Sequence, residues 1–498
     1  MIRHFSCLIL ICSCTIWTSC QSNSQRLEAV LKYSGTNRNE LEKVLQHYSQ
    51  HPADSLKLKA AIFLIENMPG HYTYAGTFLD QYYAKLDTVK NTPYHEKKLF
   101  QMIPFDRPEY RNKFEIREDV KHIKADFLIH NIELAFHQWQ TLPWLEGLDF
   151  NTFKEYLLPY RVENESLDYW RDSISFFQNR LKDYTDNYED CRYSITEMKN
   201  KYYTYIFNPR VKIPEKNLKD FEMECIPTSK LQLFTYRIIG IPSAIDFIPH
   251  FANRNGRHYW AATIDHKTSP YQLFQADIYR APKIYRRTFS HNPVTIPKAN
   301  EYIPPFFRDP FNKDVTALYL PTTSVKIDIP RNIKTRHAYL AVFNDLVWKP
   351  IACCESSGKE ANFTDMGKDI VYLPIYYDEN EEMCPLASPF VVYSNGQLQD
   401  LNVNKNNLQS LALTRKYPDS SEHDYWYEEL LGSCIEVSDQ EDFKKRDTLF
   451  QITERTGCQY HYFYPDTTLK KDTGVLLLVK IVDVTLLTFI IITAKIKK

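Results

Sequence analysis

Three residues near the middle of the chain have the side-chain types that thiol chemistry on an amide bond requires: Cys225, His258 and Asp277. In such chemistry a thiolate attacks the carbonyl carbon, a histidine carries the proton, and a carboxylate orients the imidazole. Asp265 competes for the third role, but it lies seven residues along the same predicted strand, on the opposite face and about 23 Å from His258. Asp277 returns to the same face across a predicted turn, so it is the better candidate.

The stretch after Cys225 predicts a helix with this cysteine near its N-terminus. Leu231, Phe234 and Ile238 share one helix face, and Gly240 is a suitable terminator. The helix dipole and the unpaired N–H groups at that end favour thiolate over thiol, and the same N–H groups could bind an oxyanion. The prediction is therefore a nucleophile and an oxyanion site at one helix end.

Two predicted strands and a turn carry the histidine. "IGIPSAIDFI" predicts a strand, "NRNG" (253–256) a tight turn, and "HYWAATID" (258–265) a returning strand that starts with His258. Tyr259 and Trp260 are candidate substrate-binding residues, because their rings can stack on a sugar or a peptide. The alternative for one of these two rings is a place in the core.

An inert interpretation of the cysteine and histidine stays open beside the catalytic one. Cys225 would then be a half-buried thiol, and His258 a core histidine with its hydrogen bonds satisfied. Glu224 and Ile226 flank the cysteine, and a neighbouring carboxylate opposes thiolate formation.

The composition excludes several classes of protein. At 498 residues the chain is too long for a single compact core. Its 61 basic and 62 acidic residues give a net charge of -1, which leaves no electrostatic footprint for nucleic acid. With 12 glycines it has no glycine-rich phosphate loop, and His250 and His266 lack the carboxylate spacing of a metal site. We therefore expect a folded, multidomain protein without a metal, another cofactor or a nucleic-acid partner.

The first twenty residues, "MIRHFSCLILICSCTIWTSC", are typical of a lipoprotein signal peptide. Arg3 precedes an apolar run from Phe5 to Trp17, and small residues then lead to Cys20, the predicted lipidation site. The run is shorter than the roughly 20 residues of a membrane-spanning helix. We expect a lipid-anchored protein of the bacterial cell envelope, with the periplasmic face of the outer membrane favoured.

The remaining cysteines give no disulfide pattern. An odd number of them leaves at least one free thiol after export, and no CxxC pair indicates a zinc site. Vicinal cysteines rarely bridge each other. The seven cysteines beyond the signal peptide are Cys191, Cys225, Cys353, Cys354, Cys384, Cys434 and Cys458.

The first two hundred residues have mainly helical patterns. Asn39 is a predicted N-cap for a helix with a capping box, and a second helix is expected from about 54 to 67. Helical spacing recurs in "IKADFLIHNIELAFHQW" and "NTFKEYLLPYR", and again from about 165 to 203.

From about residue 241 onward, short strands are predicted. The proline-rich stretch 295–314 is typical of a linker or a long irregular crossing. "DVTALYLPTTSVKIDI", "AYLAVFNDLVWKPIACC", "DIVYLPIYY" and "PFVVYSNGQLQDL" then alternate and turn as a β-sandwich does. The apolar tail 474–498 contains Lys480 and Asp483, so two core strands are favoured over a membrane span.

Several stretches resemble a family of large lipoproteins from Bacteroidetes-type bacteria with a transglutaminase-like, papain-related core. The resemblance lies in "GIPSAIDFIPHFANRNGRHYW", "LPYRVENESLDYWR", "NRNELEKVLQHY" and "PKIYRRTF", and it runs from about residue 30 to about 460. It implies that Cys225, His258 and Asp277 take the family's catalytic positions. The last unit resembles a discoidin-like, carbohydrate-binding β-sandwich, with the apolar tail in place of its final strands.

The patterns and the resemblance together predict a multidomain α+β protein. The expected order is a signal peptide, a helical N-terminal region, a transglutaminase-like α+β core, a β-sandwich, and a discoidin-like β-rich domain with an atypical tail. The corresponding ranges are 1–20, 21–150, 151–295, 296–405 and 406–498.

Two functions are expected from these features. The first is that of a transglutaminase-like cysteine peptidase or amidase, which hydrolyses or transfers an acyl group of a peptide or glycoprotein substrate through a Cys-His-Asp triad. The alternative is a catalytically inactive binding protein of the cell envelope that recognises a glycan or a peptide through its β-sandwich domains.

Overall fold

The computed structural model describes most of the first 401 residues and the backbone of three later strands. The described ranges are 25–76, 84, 115–165, 167–173, 225–252, 256–264, 281–299, 301–344 and 347–401, with strand backbone in 434–437, 447–451 and 479–482. Cys20, Asp265 and Asp277 lie outside these ranges, and of Cys225 the backbone is described.

The N-terminal part is a helical unit with one small sheet. Its helices pack on a common core that includes Leu41, Leu64 and Phe153. Strand β1 pairs antiparallel with β2 beside them. The elements are α1 (25–33), α2 (Arg38–Ser49), α3 (Ser55–Glu66), β1 (Tyr72–Ala75), β2 (Glu115–Glu118), α4 (Ala125–Thr141) and α5 (Phe150–Tyr156).

The predicted helices of this unit are confirmed, but the predicted start of α2 is wrong. The N-cap position is Asn37 rather than Asn39, and the Asn37 side chain makes no capping hydrogen bond. Its amide instead donates to the carbonyls of Val120 and Ile123, at 3.2 and 2.9 Å. The Asn37 side chain therefore binds backbone carbonyls that are distant in the sequence and does not cap the helix. Of the helix expected from 165 to 203, the described part contains a 3-10 turn, Trp170–Ser173, and 174–203 lie outside it.

The middle of the chain forms a four-stranded antiparallel sheet, the core sheet. Its strand order is β4-β3-β5-β6, and the last strand comes from the proline-rich crossing, beyond residue 295. The elements are α6 (Cys225–Ile238), β3 (Ser243–Ile248), β4 (His258–Thr263), β5 (Tyr285–Arg287), the single turn α7 (Pro305–Arg308), β6 (Asn312–Asp314) and the single turn α8 (Thr316–Tyr319).

The predicted β-sandwich strands are present after residue 320. Five strands follow the order β14-β13-β11-β8-β9 with β12 beside β11, and the pair β10-β7 packs against them over a core that contains Val325, Leu340 and Phe363. The strands are β7 (Thr323–Asp328), β8 (His337–Asn344), β9 (Val347–Glu355), β10 (Glu360–Met366), β11 (Ile370–Tyr377), β12 (Met383–Pro385), β13 (Phe390–Val392) and β14 (Leu398–Asp400).

Three further strands form a small antiparallel sheet near the C-terminus. They are β15 (Cys434–Val437), β16 (Asp447–Gln451) and β17 (Val479–Val482), in the order β16-β15-β17. Strand β17 belongs to the apolar tail, so this part of the tail is a strand as predicted.

The described part of the chain is thus a mixed α+β protein built on antiparallel sheets. Cys353, Cys354 and Cys384 are free thiols. No helix within the described ranges has both the length and the apolar character that a membrane span needs.

Candidate functional site

Helix α6 starts at Cys225, as the sequence predicted. It ends at Ile238, and Gly240 follows with a φ of +80°. A Cβ atom on Gly240 would lie 2.3 Å from the Leu142 side chain, so both the backbone conformation and the packing favour glycine here. The helix therefore runs from the candidate nucleophile to a fixed end against the helical unit.

Strand β4 starts at His258, also as predicted. His258 lies opposite Ile248 of β3 in the antiparallel register. The imidazole is half-buried and stacks near Trp260, with ring centroids 5.5 Å apart. The candidate base thus lies at one end of the core sheet, on a strand with a fixed register.

A hydrogen bond joins α6 to β4 beside His258. The Ser229 hydroxyl donates to the carbonyl of Tyr259 at 3.0 Å. Cys225 precedes Ser229 by one helical turn and therefore lies on the same side of the helix, about 6 Å along its axis. The backbone accordingly brings the start of α6 close to the start of β4.

The register separates the side chains of β3 and β4 onto two faces of the core sheet. His258 pairs with Ile248 and Trp260 with Asp246, so these four side chains share what we call the His258 face. Tyr259 pairs with Phe247 on the opposite side, the Tyr259 face.

Helix α6 contacts the Tyr259 face. Ser243, which shares the side of Phe247, donates from its hydroxyl to the carbonyl of Leu233 at 3.5 Å. Glu163 pairs with Lys230 of α6 and, at 3.3 Å, with Arg287, whose guanidinium lies over the Phe247 ring. The His258 side chain therefore lies on the face opposite to the one that α6 contacts.

Glu163 is held ionised by its two cationic neighbours. Burial raises the pKa of this carboxyl, but the charges of Lys230 and Arg287 outweigh burial and lower the pKa to about 2. Arg287 also donates to Asp309. The Glu163 cluster, formed by these four residues, therefore ties α6 to the core sheet by charge as well as by packing.

A second buried carboxylate lies on the His258 face. Asp246 is fully buried and accepts two hydrogen bonds from Arg286, at 2.8 and 2.7 Å. It also accepts one from the Tyr319 hydroxyl at 2.5 Å, and Trp260 Nε1 donates to that hydroxyl at 3.2 Å. This Asp246 cluster holds the ring against which His258 stacks.

The two predicted substrate-binding rings have different surroundings. Trp260 is 8% exposed and belongs to a hydrophobic cluster on the His258 face. Tyr259 is half-buried and stacks on Phe247, with ring centroids 4.9 Å apart and planes 7° apart. The structure thus places Trp260 in the core and Tyr259 at the edge of the surface that α6 contacts.

The loop before His258 is fixed from outside the core sheet. Asn344 of β8 is fully buried and donates to the carbonyls of Phe251 and Gly256, at 2.9 and 3.0 Å. Its side-chain carbonyl accepts from the Gly256 N–H at 3.2 Å. The β-sandwich thereby positions the backbone at Phe251 and at Gly256, two residues before β4.

Sequence reasoning missed the Asp246 and Glu163 clusters and the role of Asn344. The buried partner of Asp246 could have been predicted, because a charged residue inside the apolar stretch "SAIDFI" needs one. Within the described residues, no three His, Cys, Asp or Glu side chains converge as a metal site would need.

Comparisons with family models, with curated proteins and with solved structures find no match to this chain.

Proposed function

We propose that this protein is a thiol-dependent hydrolase of an amide or peptide bond, with Cys225 as the nucleophile and His258 as the proton carrier. The hydrogen bond between Ser229 and Tyr259 carries the proposal, because it joins the helix that starts at Cys225 to the strand that starts at His258. Asp277 is proposed to orient the imidazole, because the strand pairing predicted after His258 places it on the same face.

The proposed reaction has two steps. The Cys225 thiolate forms a bond to the carbonyl carbon, and the charge passes to the carbonyl oxygen, which the N–H groups at the start of α6 can stabilise. Collapse of this intermediate breaks the C–N bond, and His258 gives its proton to the departing amine. Water, deprotonated by His258, then attacks the thioester, which releases the acid and returns the thiol.

The proposal includes the setting of this chemistry. A transglutaminase-like core, a β-sandwich that braces it and a discoidin-like terminal unit form an exported lipoprotein, anchored through a lipid on Cys20 at the cell envelope. A peptide or glycoprotein is the proposed substrate. The antiparallel core sheet with a helix against it is compatible with this architecture.

Alkylation kinetics test the proposal. We expect iodoacetamide to modify Cys225 with a pKa below the value of about 8.5 of a free cysteine, and His258→Ala to raise that pKa because it removes a proton acceptor. Peptide mapping by mass spectrometry separates Cys225 from the other thiols. A Cys225 pKa near that of a free cysteine, unchanged by His258→Ala, would contradict the catalytic proposal.

The chain offers controls for this experiment. Burial raises the pKa of Cys353 to about 12 and that of Cys354 to about 11, so these two thiols should react slowly at neutral pH. His250→Ala is the matched histidine variant, because His250 precedes the loop before β4 and lies outside that strand. It should leave the alkylation profile of Cys225 unchanged.

The side-chain register favours a second candidate, a catalytically inactive binding protein of the cell envelope that holds a glycan or a peptide. His258 shares a face with Trp260 and Asp246, whereas α6 contacts the opposite face. If this candidate is correct, Cys225→Ala should leave ligand binding intact, and the sulfur-to-imidazole distance in an experimental map should exceed about 6 Å.

A further inference from the structure

A cavity of about 350 Å³ lies between the core sheet and the β-sandwich. Tyr285 of β5 and Cys353 of β9 contribute to its wall, together with residues of 292–295 and 306–314 from the crossing between the two units. The Tyr285 hydroxyl donates to the carbonyl of Ile351 at 2.8 Å, which fixes the two sides of the cavity relative to each other. Its volume lies within the range of small-molecule sites.

The carboxylates of the cavity wall are already neutralised. Asp309 accepts a hydrogen bond from Arg287, and Asp314 pairs with Lys283. A cationic ligand would therefore compete with two side chains of the protein. An anionic ligand would face these two carboxylates beside a single ammonium group, that of Lys313, which also lines the cavity. This charge balance favours an uncharged ligand.

The cavity wall offers both hydrogen-bond acceptors and donors. The Asn292 amide nitrogen donates to Thr288 at 2.7 Å and to the carbonyl of Pro310 at 2.9 Å, so both of its N–H groups have partners and its oxygen is the group left for a ligand. The Asn312 amide donates one hydrogen bond to the Phe306 carbonyl at 3.2 Å, and its oxygen accepts one from Arg287 at 2.9 Å, so Asn312 and Lys313 can serve as donors to a ligand. Since the carboxylates can accept further bonds, the wall suits a ligand whose groups both donate and accept, as hydroxyl groups do.

Aromatic rings form the apolar part of the wall. Phe306 is perpendicular to Tyr285, with centroids 4.9 Å apart, and to Phe307, with centroids 5.2 Å apart. In an edge-to-face pair, the ring that contributes its edge keeps its own faces free of that partner. Ring faces beside acceptors are the surroundings that a sugar needs, because a sugar presents both C–H faces and hydroxyl donors.

We propose that this cavity binds one unit of a neutral saccharide, with the sugar against the Phe306 and Phe307 rings and its hydroxyls donating to Asn292, Asp309 and Asp314. The proposal does not depend on the proposed thiol chemistry, because none of the wall residues it uses has a role in that chemistry. The ligand can thus be a glycan attached to a substrate or a glycan of the cell envelope.

Calorimetric titration of the full chain with maltose, cellobiose and N,N′-diacetylchitobiose tests the proposal. We expect saturable binding of at least one of these probes, with glucuronate and n-butylamine binding more weakly. Val294 lines the cavity and is 36% exposed, so Val294→Trp should obstruct the cavity and weaken binding by about tenfold. Ile296→Trp is the matched control, since Ile296 is 71% exposed and lies outside the wall.

Alkylation of Cys353 at alkaline pH gives a second readout at the site itself. A bound saccharide should slow this reaction while the alkylation of Cys384 proceeds at its usual rate. The proposal is overturned if none of the three disaccharides binds, if glucuronate or n-butylamine binds more tightly, if Val294→Trp and Ile296→Trp bind alike, or if the saccharide leaves Cys353 unprotected. Because each measurement involves the cavity, loss of thiol chemistry at Cys225 would leave the outcome unchanged.

Discussion

The two faces of the β3–β4 pair bury a carboxylate in two different ways. On the His258 face, Asp246 has partners from the core sheet and from the single turn α8 that follows it. On the Tyr259 face, Glu163 comes from a distant loop and lies between Lys230 of α6 and Arg287 of β5. The Asp246 cluster stabilises the core sheet itself, whereas the Glu163 cluster attaches helix α6 to that sheet.

The two clusters act on different parts of the candidate site. A change in the Asp246 cluster acts on the ring that supports His258, whereas a change in the Glu163 cluster acts on the helix that starts at Cys225. Both clusters are sensitive to truncation, because removal of one buried partner leaves the opposite charge without compensation.

Of the substitutions that distinguish the two faces, Asp246→Ala should have the largest effect on stability. It leaves the buried Arg286 guanidinium without its carboxylate, and we expect the free energy of unfolding to fall by about 4 kcal/mol. Urea denaturation measures this loss. The control is Asp328→Ala on an exposed position of β7, which should change stability by less than about 0.5 kcal/mol. Equal effects of the two variants would contradict the role of the cluster.

Glu163→Gln should have a somewhat smaller effect, a loss of about 3 kcal/mol. Lys230 and Arg287 both lose a negative partner, but Arg287 keeps Asp309. Urea denaturation is again the measurement, and Glu355→Gln is the control because the Glu355 side chain is 66% exposed. A variant as stable as the wild type would show that Glu163 does not attach α6 to the sheet.

The contribution of Glu163 should depend on pH in a predictable direction. Its pKa is lowered from 4.5 to about 2 in the folded chain, so its stabilising effect is complete above the unfolded value and is lost as the pH falls toward the folded value. We therefore expect the stability difference between wild type and Glu163→Gln to be larger at about pH 5 than at about pH 3. A difference that stays constant over this range would rule out the lowered pKa.

Ser229→Ala should have the smallest effect on stability, about 1 kcal/mol, because it removes one hydrogen bond to the Tyr259 carbonyl. Its effect on Cys225 should be easier to see. If this bond aligns the start of α6 with β4, the alkylation rate of Cys225 should become less dependent on His258. Thr235→Ala, farther along the same helix, is the control. Identical profiles for both variants would argue against alignment through Ser229.

The local elements of the site could be predicted from the sequence. Helical spacing ending at Gly240 predicted α6, and alternation on both sides of an Asn/Gly turn predicted β3 and β4. The three-residue strand β6 was missed because it lies within the proline-rich crossing. What defines it as a strand is its pairing with β5, which a local sequence pattern does not reveal.

The clusters around the site could not be predicted, since their partners are far apart along the chain. Asp246 meets Tyr319 across 73 residues, and Asn37 gives up capping for carbonyls 83 and 86 residues away. A capping box or a charged strand residue is a local pattern, and it does not contain the identity of a distant partner. The face of His258 likewise follows from the register with Ile248, which the sequence alone left open.

The core sheet and the β-sandwich follow one another along the sequence, but Asn344 connects them in space. Its three hydrogen bonds pass from the β-sandwich to the loop before His258, and Lys283 of the core reaches the Thr364 carbonyl in return, at 2.7 Å. A recombinant core cut off before β7 would lack the residue that binds the backbone of Phe251 and Gly256. A replacement of the β-sandwich by another one would therefore preserve the start of β4 only if it supplied an equivalent side-chain amide.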